Sequence, residues 1–245
     1  MIYVYAIIEQ PERPLPRVKG LDDTPIGVCS RGVIGAAVSL GTSARPEITE
    51  ATLWRHEAVL EALMAERAVL PVRFGTVVGD EAALREMLQS RCEAFAANLD
   101  LVRGQVEIAL RVLDPTPLNP PFVRGEASPL LTKEGSGEVG QGPGVAYMSR
   151  RLEEHRREQD WLGRSQDCRA SIEKAFDGLV TRSVWRAPSR PPTLLQSSHM
   201  ISGGRLDELR DRMNDLRAAN ASWRFLCTGP WPPFSFVEGA TIDER

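Results

Sequence analysis

The feature that most constrains this chain is a break in its middle. Residues 114–144 are dense in proline and glycine and carry no apolar period. Such a stretch offers no face to bury, so its composition predicts a flexible insertion. The segments on either side must then close cores of their own. With 245 residues in all, two modest domains fit better than one.

The first half opens on Ile2–Ile8, a β-branched and aromatic run expected to be a buried strand. A proline-rich loop follows. Residues 26–31 and 33–40 suggest two more strands around an Arg31-Gly32 turn. Residues 47–66 have helical spacing, with Leu53, Leu60, Leu63 and Met64 as the inward face. Residues 68–74 form an apolar run interrupted by Pro71, which favours an edge strand or a bulge. Residues 80–102 give one more helix, with Asp80 as N-cap. This predicts an N-terminal mixed α+β domain over residues 1–103.

The second domain is expected over residues 104–245, with the insertion inside it. Its elements are a strand at 105–113, a long helix at 145–183, a strand at 193–201, a helix at 204–218 and a strand at 222–227. That is a ferredoxin-like βαββαβ order with one strand missing, to be supplied by residues 181–187 or by the tail. The tail, residues 229–245, begins GPWPPFSF and is stiff, extended and aromatic. Trp231 and Phe234 are expected to be mostly buried on the second domain, with Phe236 nearer the surface. The prolines should keep the tail from continuing the sheet ladder.

Charge and motif content exclude more than they select. The net charge is -3, so the whole chain has no strong electrostatic pull toward nucleic acid or anionic membrane. Of 30 basic residues only Lys19, Lys133 and Lys174 are lysines, which fits base composition or a preference for bidentate ion pairs. Four scattered cysteines form no C-x-x-C pair. His56-Glu57 starts like a zincin motif, but Leu60 stands where the second ligand would be. No phosphate-cradling glycine loop and no nucleophile elbow occurs. The expectation is therefore no enzyme activity, no cofactor and no metal. The opening lacks a basic n-region, and no run approaches the roughly 20 apolar residues of a membrane helix. A cytoplasmic protein with reduced thiols is expected.

Seven residues are candidates for partner binding or structure. Trp54 and Glu57 share the helix of His56, which is either a satisfied buried histidine or a contact group. Arg73 sits in an apolar context, LPVRFGT, as an anchor for a partner carboxylate or as one half of an ion pair with an acidic helix residue such as Glu57. Trp231, Phe234 and Phe236 either lid their own domain or dock on a partner.

Taken in order, IYVYAII, ATLWRHEAVLEALM at 51–64, AVLPVRFGTVV at 68–78, GVAYMSRRLEE at 144–154 and LCTGPWPPFSFV at 226–237 resemble the F/L family of gas vesicle proteins. Residues 115–143 depart from that pattern. The resemblance implies an N-terminal α+β domain, a ferredoxin-like C-terminal domain and a part in building gas vesicles. It implies as partners the small, hydrophobic major shell protein and other gas vesicle proteins. The competing class is a small-molecule-sensing ferredoxin-like module, which should converge several polar residues on one pocket; no such cluster is visible.

Overall fold

A computed structural model describes residues 1–40, 45–115, 143–186 and 191–237. The expected insertion at 114–144 lies almost entirely outside the described residues.

The first sheet contains β1 (Ile2–Glu9), β2 (Gly27–Arg31), β3 (Ile34–Leu40), β4 (Val69–Pro71) and β5 (Val77–Val78). Its order is β2-β3-β1-β4, with β5 also on β1, and every pairing is antiparallel. β1 is central and buried on both faces, as its unbroken apolar run requires. β4 ends the ladder, where Pro71 removes no needed donor.

Three helices cover this sheet. α1 (Glu50–Met64) starts at Thr49, whose hydroxyl accepts from the Thr52 N–H, and Thr52 returns the bond. It lays Val59, Leu60 and Leu63 over Tyr3, Tyr5 and Ile8. Leu53, expected inside, is instead largely exposed near the helix start. The opposite face of the sheet takes α2 (Glu81–Ser90) and α3 (Cys92–Val102). These were expected as one helix. Arg91, at φ -118° and ψ 14°, breaks it, and the Ser90 hydroxyl bonds back to the Met87 carbonyl. Asp80 caps α2 as expected, accepting from the Ala83 N–H at 2.8 Å.

The second sheet contains β6 (Gln105–Leu113), β7 (Val180–Arg186), β8 (Thr193–Ser202) and β9 (Arg224–Trp231) in the antiparallel order β7-β8-β6-β9. α4 (Pro143–Ala175) and α5 (Leu206–Ala219) cover one face. Ile108, Leu110 and Val112 meet Trp161, Ile172 and Met213 there. α4 stops well short of the expected 183. Gly178, at φ +66°, turns the chain, and the β-rich sequence Val180–Arg186 becomes the strand that was missing.

The end of the chain overturns two expectations. β9 does not stop at residue 227 but runs to Trp231, past Pro230. A bulge opposite Glu107–Ala109 absorbs the irregularity, and Gly229, at φ +122°, passes so close to the Glu107 carbonyl that a Cβ would sit 2.7 Å from it. Beyond it Phe234–Phe236 form one 3-10 turn. There the burial is inverted: Phe236 is only 8% exposed, whereas Phe234 is 41% exposed and Trp231 half-buried.

Candidate functional site

The inverted tail builds a cleft. The tail turn is held by Glu107, a buried carboxylate on β6. Its oxygens accept from the Ser235 N–H at 2.8 Å and from the Ser235 hydroxyl at 2.6 Å. Ser198 Oγ lies 3.1 Å from the same hydroxyl. A buried carboxylate is costly unless its lone pairs are filled, so this clamp fixes the turn. With Ser235 held down, Phe236 points inward and Phe234 outward. Sequence reading passed over Glu107, because a glutamate alternating with apolar neighbours reads as solvated.

Across from the tail stand the first turns of α1 and the segment after β4. Together these enclose a cleft of about 850 Å³. Its walls include Ile48, Leu53 and Trp54 on one side, Pro71, Arg73 and Phe74 on the second, and Trp231, Phe234 and Val237 on the third. His56 and Glu57 line its base. Six of the seven candidate residues meet here; Phe236 does not, being spent on the tail's own burial.

The walls are apolar and wet. Trp54 is 62% exposed and Ile48 81% exposed. The Trp54 indole N–H donates to Glu50 Oε1 at 3.2 Å, which holds the ring upright on the helix. The Trp231 indole N–H donates to Thr228 Oγ1, also at 3.2 Å. Both rings therefore satisfy their polar edge locally and leave their faces to the cleft.

His56 is buried among aromatic rings. It stacks on Tyr5 at 5.6 Å and meets Phe74 edge-on at 5.6 Å. Its Nδ1 lies 2.8 Å from the Tyr3 hydroxyl, which accepts from the Gly75 N–H. With that acceptor site taken, the Tyr3 proton is best given to Nδ1, so the imidazole carries its own proton on Nε2. Nε2 closes no hydrogen bond, although the Val72 backbone weakly favours the charged ring. Burial dominates and pushes the pKa down to about 4. The same desolvation pushes the Tyr3 hydroxyl well above its ordinary range. Burial, and then the charge of Glu61, raises the Glu57 carboxyl. Glu57 Oε2 is buried without a partner.

The ion pair entertained between Arg73 and Glu57 is not formed. Arg73 is exposed and makes no ion pair among the described residues, so its guanidinium is free at the rim. A neutral histidine, a carboxyl held partly desolvated and a free arginine could in principle move protons. The hydroxyls nearest them are already engaged, that of Tyr3 with His56 and the Gly75 N–H and that of Thr49 in capping α1. Among the described residues no group of three histidine, cysteine or acidic side chains could hold a metal ion. No described helix is long and apolar enough to cross a membrane. The arrangement is suited to gripping an apolar group with a polar edge.

Comparison with known proteins gives a consistent result. The family model described as gas vesicle synthesis protein GvpL/GvpF matches residues 1–238. Gas vesicle protein F2 of Halobacterium salinarum is 24% identical over 244 residues, covering 97% of this chain and 92% of that protein. Gas vesicle protein F of a Streptomyces species is 27% identical over 247 residues, covering 96% of this chain and 99% of that protein. The crystal structure of GvpF from Anabaena superimposes with a TM-score of 0.73 at 16% identity, covering 97% of this chain and 95% of that one. GvpF from Microcystis aeruginosa gives the same TM-score and identity, with 97% and 98% coverage.

Proposed function

Because the chain belongs to the gas vesicle GvpL/GvpF family, we propose that its accessory role is to hold an apolar segment of the major gas vesicle shell protein in the cleft between α1 and the tail. The single observation that carries this reading is the cleft itself. It keeps Trp54, Leu53, Ile48 and Phe234 in water although each could have been buried. Contiguous apolar surface of this kind is tolerated where a partner covers it. A shell subunit with much exposed apolar surface needs such cover before it polymerises. Arg73 at the rim would take a carboxylate flanking the bound segment, and the neutral His56 keeps the base free of positive charge. The role is that of an assembly factor or minor structural component, not an enzyme.

Two domains fit the two separate cores, and we read the second, with its βαββαβ order and strand order β7-β8-β6-β9, as ferredoxin-like. The small-molecule-sensing alternative has no support from the family or its relatives.

The test is a binding measurement with the purified shell protein in mild detergent. Trp54→Ala and Phe234→Ala remove exposed rings, so folding should survive. Each is expected to weaken capture by roughly tenfold, the scale of a buried aromatic anchor at an interface. If both variants bind as the parent does, the cleft is not the site.

A further inference from the structure

The second sheet has a face that the helices leave open. Side chains alternate along a strand, so the register between strands decides which residues share it. One cross-strand row places Arg186 of β7 opposite Gln196 of β8, Gln196 opposite Arg111 of β6, and Arg111 opposite Leu226 of β9. Val184, Ser198, Ala109 and Thr228 form the next row, in which Ser198 is already buried under the tail turn, so the face is open mainly toward the Arg186 and Arg224 end. Arg182 lies two positions along β7 from Val184, and Arg224 two positions along β9 from Leu226. All four arginines are exposed, and so are Val184 and Leu226.

The charge on this face is unbalanced. Among the described residues the only carboxylate that the register puts there is Glu107, and it is buried and spent on Ser235. Arg182, Arg186 and Arg224 make no ion pair among the described residues. Arg111 turns to a neutral partner, its Nε reaching the Gln196 amide oxygen at 2.7 Å once the amide is oriented to accept. Many arginines off this face do pair with carboxylates, among them Arg85, Arg103, Arg169, Arg205, Arg210 and Arg212.

We propose that this open sheet face is a second docking surface, and that it takes an acidic, amphipathic segment of a partner protein. The partner's carboxylates would pair with Arg111, Arg182, Arg186 and Arg224, and its apolar residues would lie on Val184 and Leu226. Arginine suits this task because its fork binds carboxylates bidentately and sheds water readily. A nucleic acid fits less well. The ring of Trp185 is on the helix-covered side against His199, and Trp231 lies at the other end of the face opposite Glu107, so no ring stands beside Arg111, Arg186 or Arg224, and the net negative chain repels a long polyanion. None of the four arginines lines the apolar cleft, although the tail turn that walls it crosses the same face at Glu107 and Ser198, and the proposal does not rest on the shell-binding reading.

The test uses the full chain and a labelled synthetic peptide repeating Glu-Glu-Leu, read by fluorescence anisotropy. Saturable binding that weakens with salt is expected. The triple variant Arg111→Gln, Arg186→Gln, Arg224→Gln should lose roughly tenfold or more in affinity, as three exposed ion pairs together would contribute. Its melting curve must match the parent's; should it misfold, the single variant Arg186→Gln on the edge strand replaces it, with a smaller loss of severalfold. Arg210→Gln, on the exposed side of α5, should bind the peptide unchanged. Three results would overturn the proposal: no saturable binding to the peptide, equal binding by parent and folded variant, or tighter binding to single-stranded DNA of matched charge.

Discussion

At the scale of single residues, burial decides more than sequence neighbourhood does. His56 was legible as a buried histidine on a helix, but its companions Tyr3, Tyr5 and Phe74 come from elsewhere in the chain and only the fold unites them. His199 is a parallel case. It sits between the hydroxyls of Ser183 and Ser197, at 2.9 and 2.8 Å, and burial pushes its pKa down to about 4. In the native state both histidines stay neutral to about pH 4, whereas in the unfolded chain they protonate near 6.5. The unfolded state thus binds more protons across that window, and stability must fall as the pH falls from about 6.5 toward about 4. At pH 5 the loss should be about 2 kcal/mol for each histidine. Glu57 works the other way, because its raised carboxyl favours the native state as the pH falls. His199→Gln keeps hydrogen bonds available to both serines and is remote from Glu57 in sequence and sheet. Chemical denaturation at pH 5 and 7.5 should show a clearly smaller pH dependence for this variant. An unchanged dependence would mean that His199 is not held neutral.

At the scale of elements, periodicity revealed where strands and helices lie, while their ends depended on long-range partners. Residues 181–187 are one of the two places expected for the missing strand, but the start of Val180–Arg186 overlaps the expected helix because Val180 continues an apolar spacing that Phe176 and Leu179 set. Gly178 was the available stop signal. The tail was misjudged for a related reason. Proline argues against a ladder, but a bulge and a positive-φ glycine let β9 pass Pro230, and a buried glutamate on another strand then selects which phenylalanine goes inside. No local pattern encodes that choice. The consequence is measurable. Phe236→Ala should cost about 3 kcal/mol, as for other buried phenylalanines. Phe234→Ala should change stability by less than about 1 kcal/mol. Thermal or denaturant unfolding of the two variants checks the order, and the reverse order would contradict the clamp.

At the scale of the whole molecule, the tail is what makes one binding site out of two cores. The two sheets have separate apolar clusters, and neither sheet alone encloses the cleft. The tail belongs to both sides. Ser235 is tied to Glu107 and Ser198 on the second sheet, while Val237 packs on the core of the first. Arg103, just before β6, adds an ion pair to Glu9 at the end of β1. That pair is exposed and contributes little by itself. The last few residues therefore add a tie between the halves to the one made where the end of α1 faces Val106 and Trp231. A chain ended after Trp231 keeps all of β9 but loses the clamp, Phe236 and the third wall of the cleft. Its two cores should still form, since none of the residues that pair the strands is removed. Their melting should separate into two transitions, whereas the full chain should melt as one, because cooperative unfolding requires that the halves stabilise each other. Capture of the shell protein should fall at least tenfold in the same variant, as Phe234 and Val237 are gone. Calorimetry and the capture assay read the two effects separately. A single unchanged transition would show that the tail does not couple the halves, and undiminished capture would show that the cleft does not need its third wall.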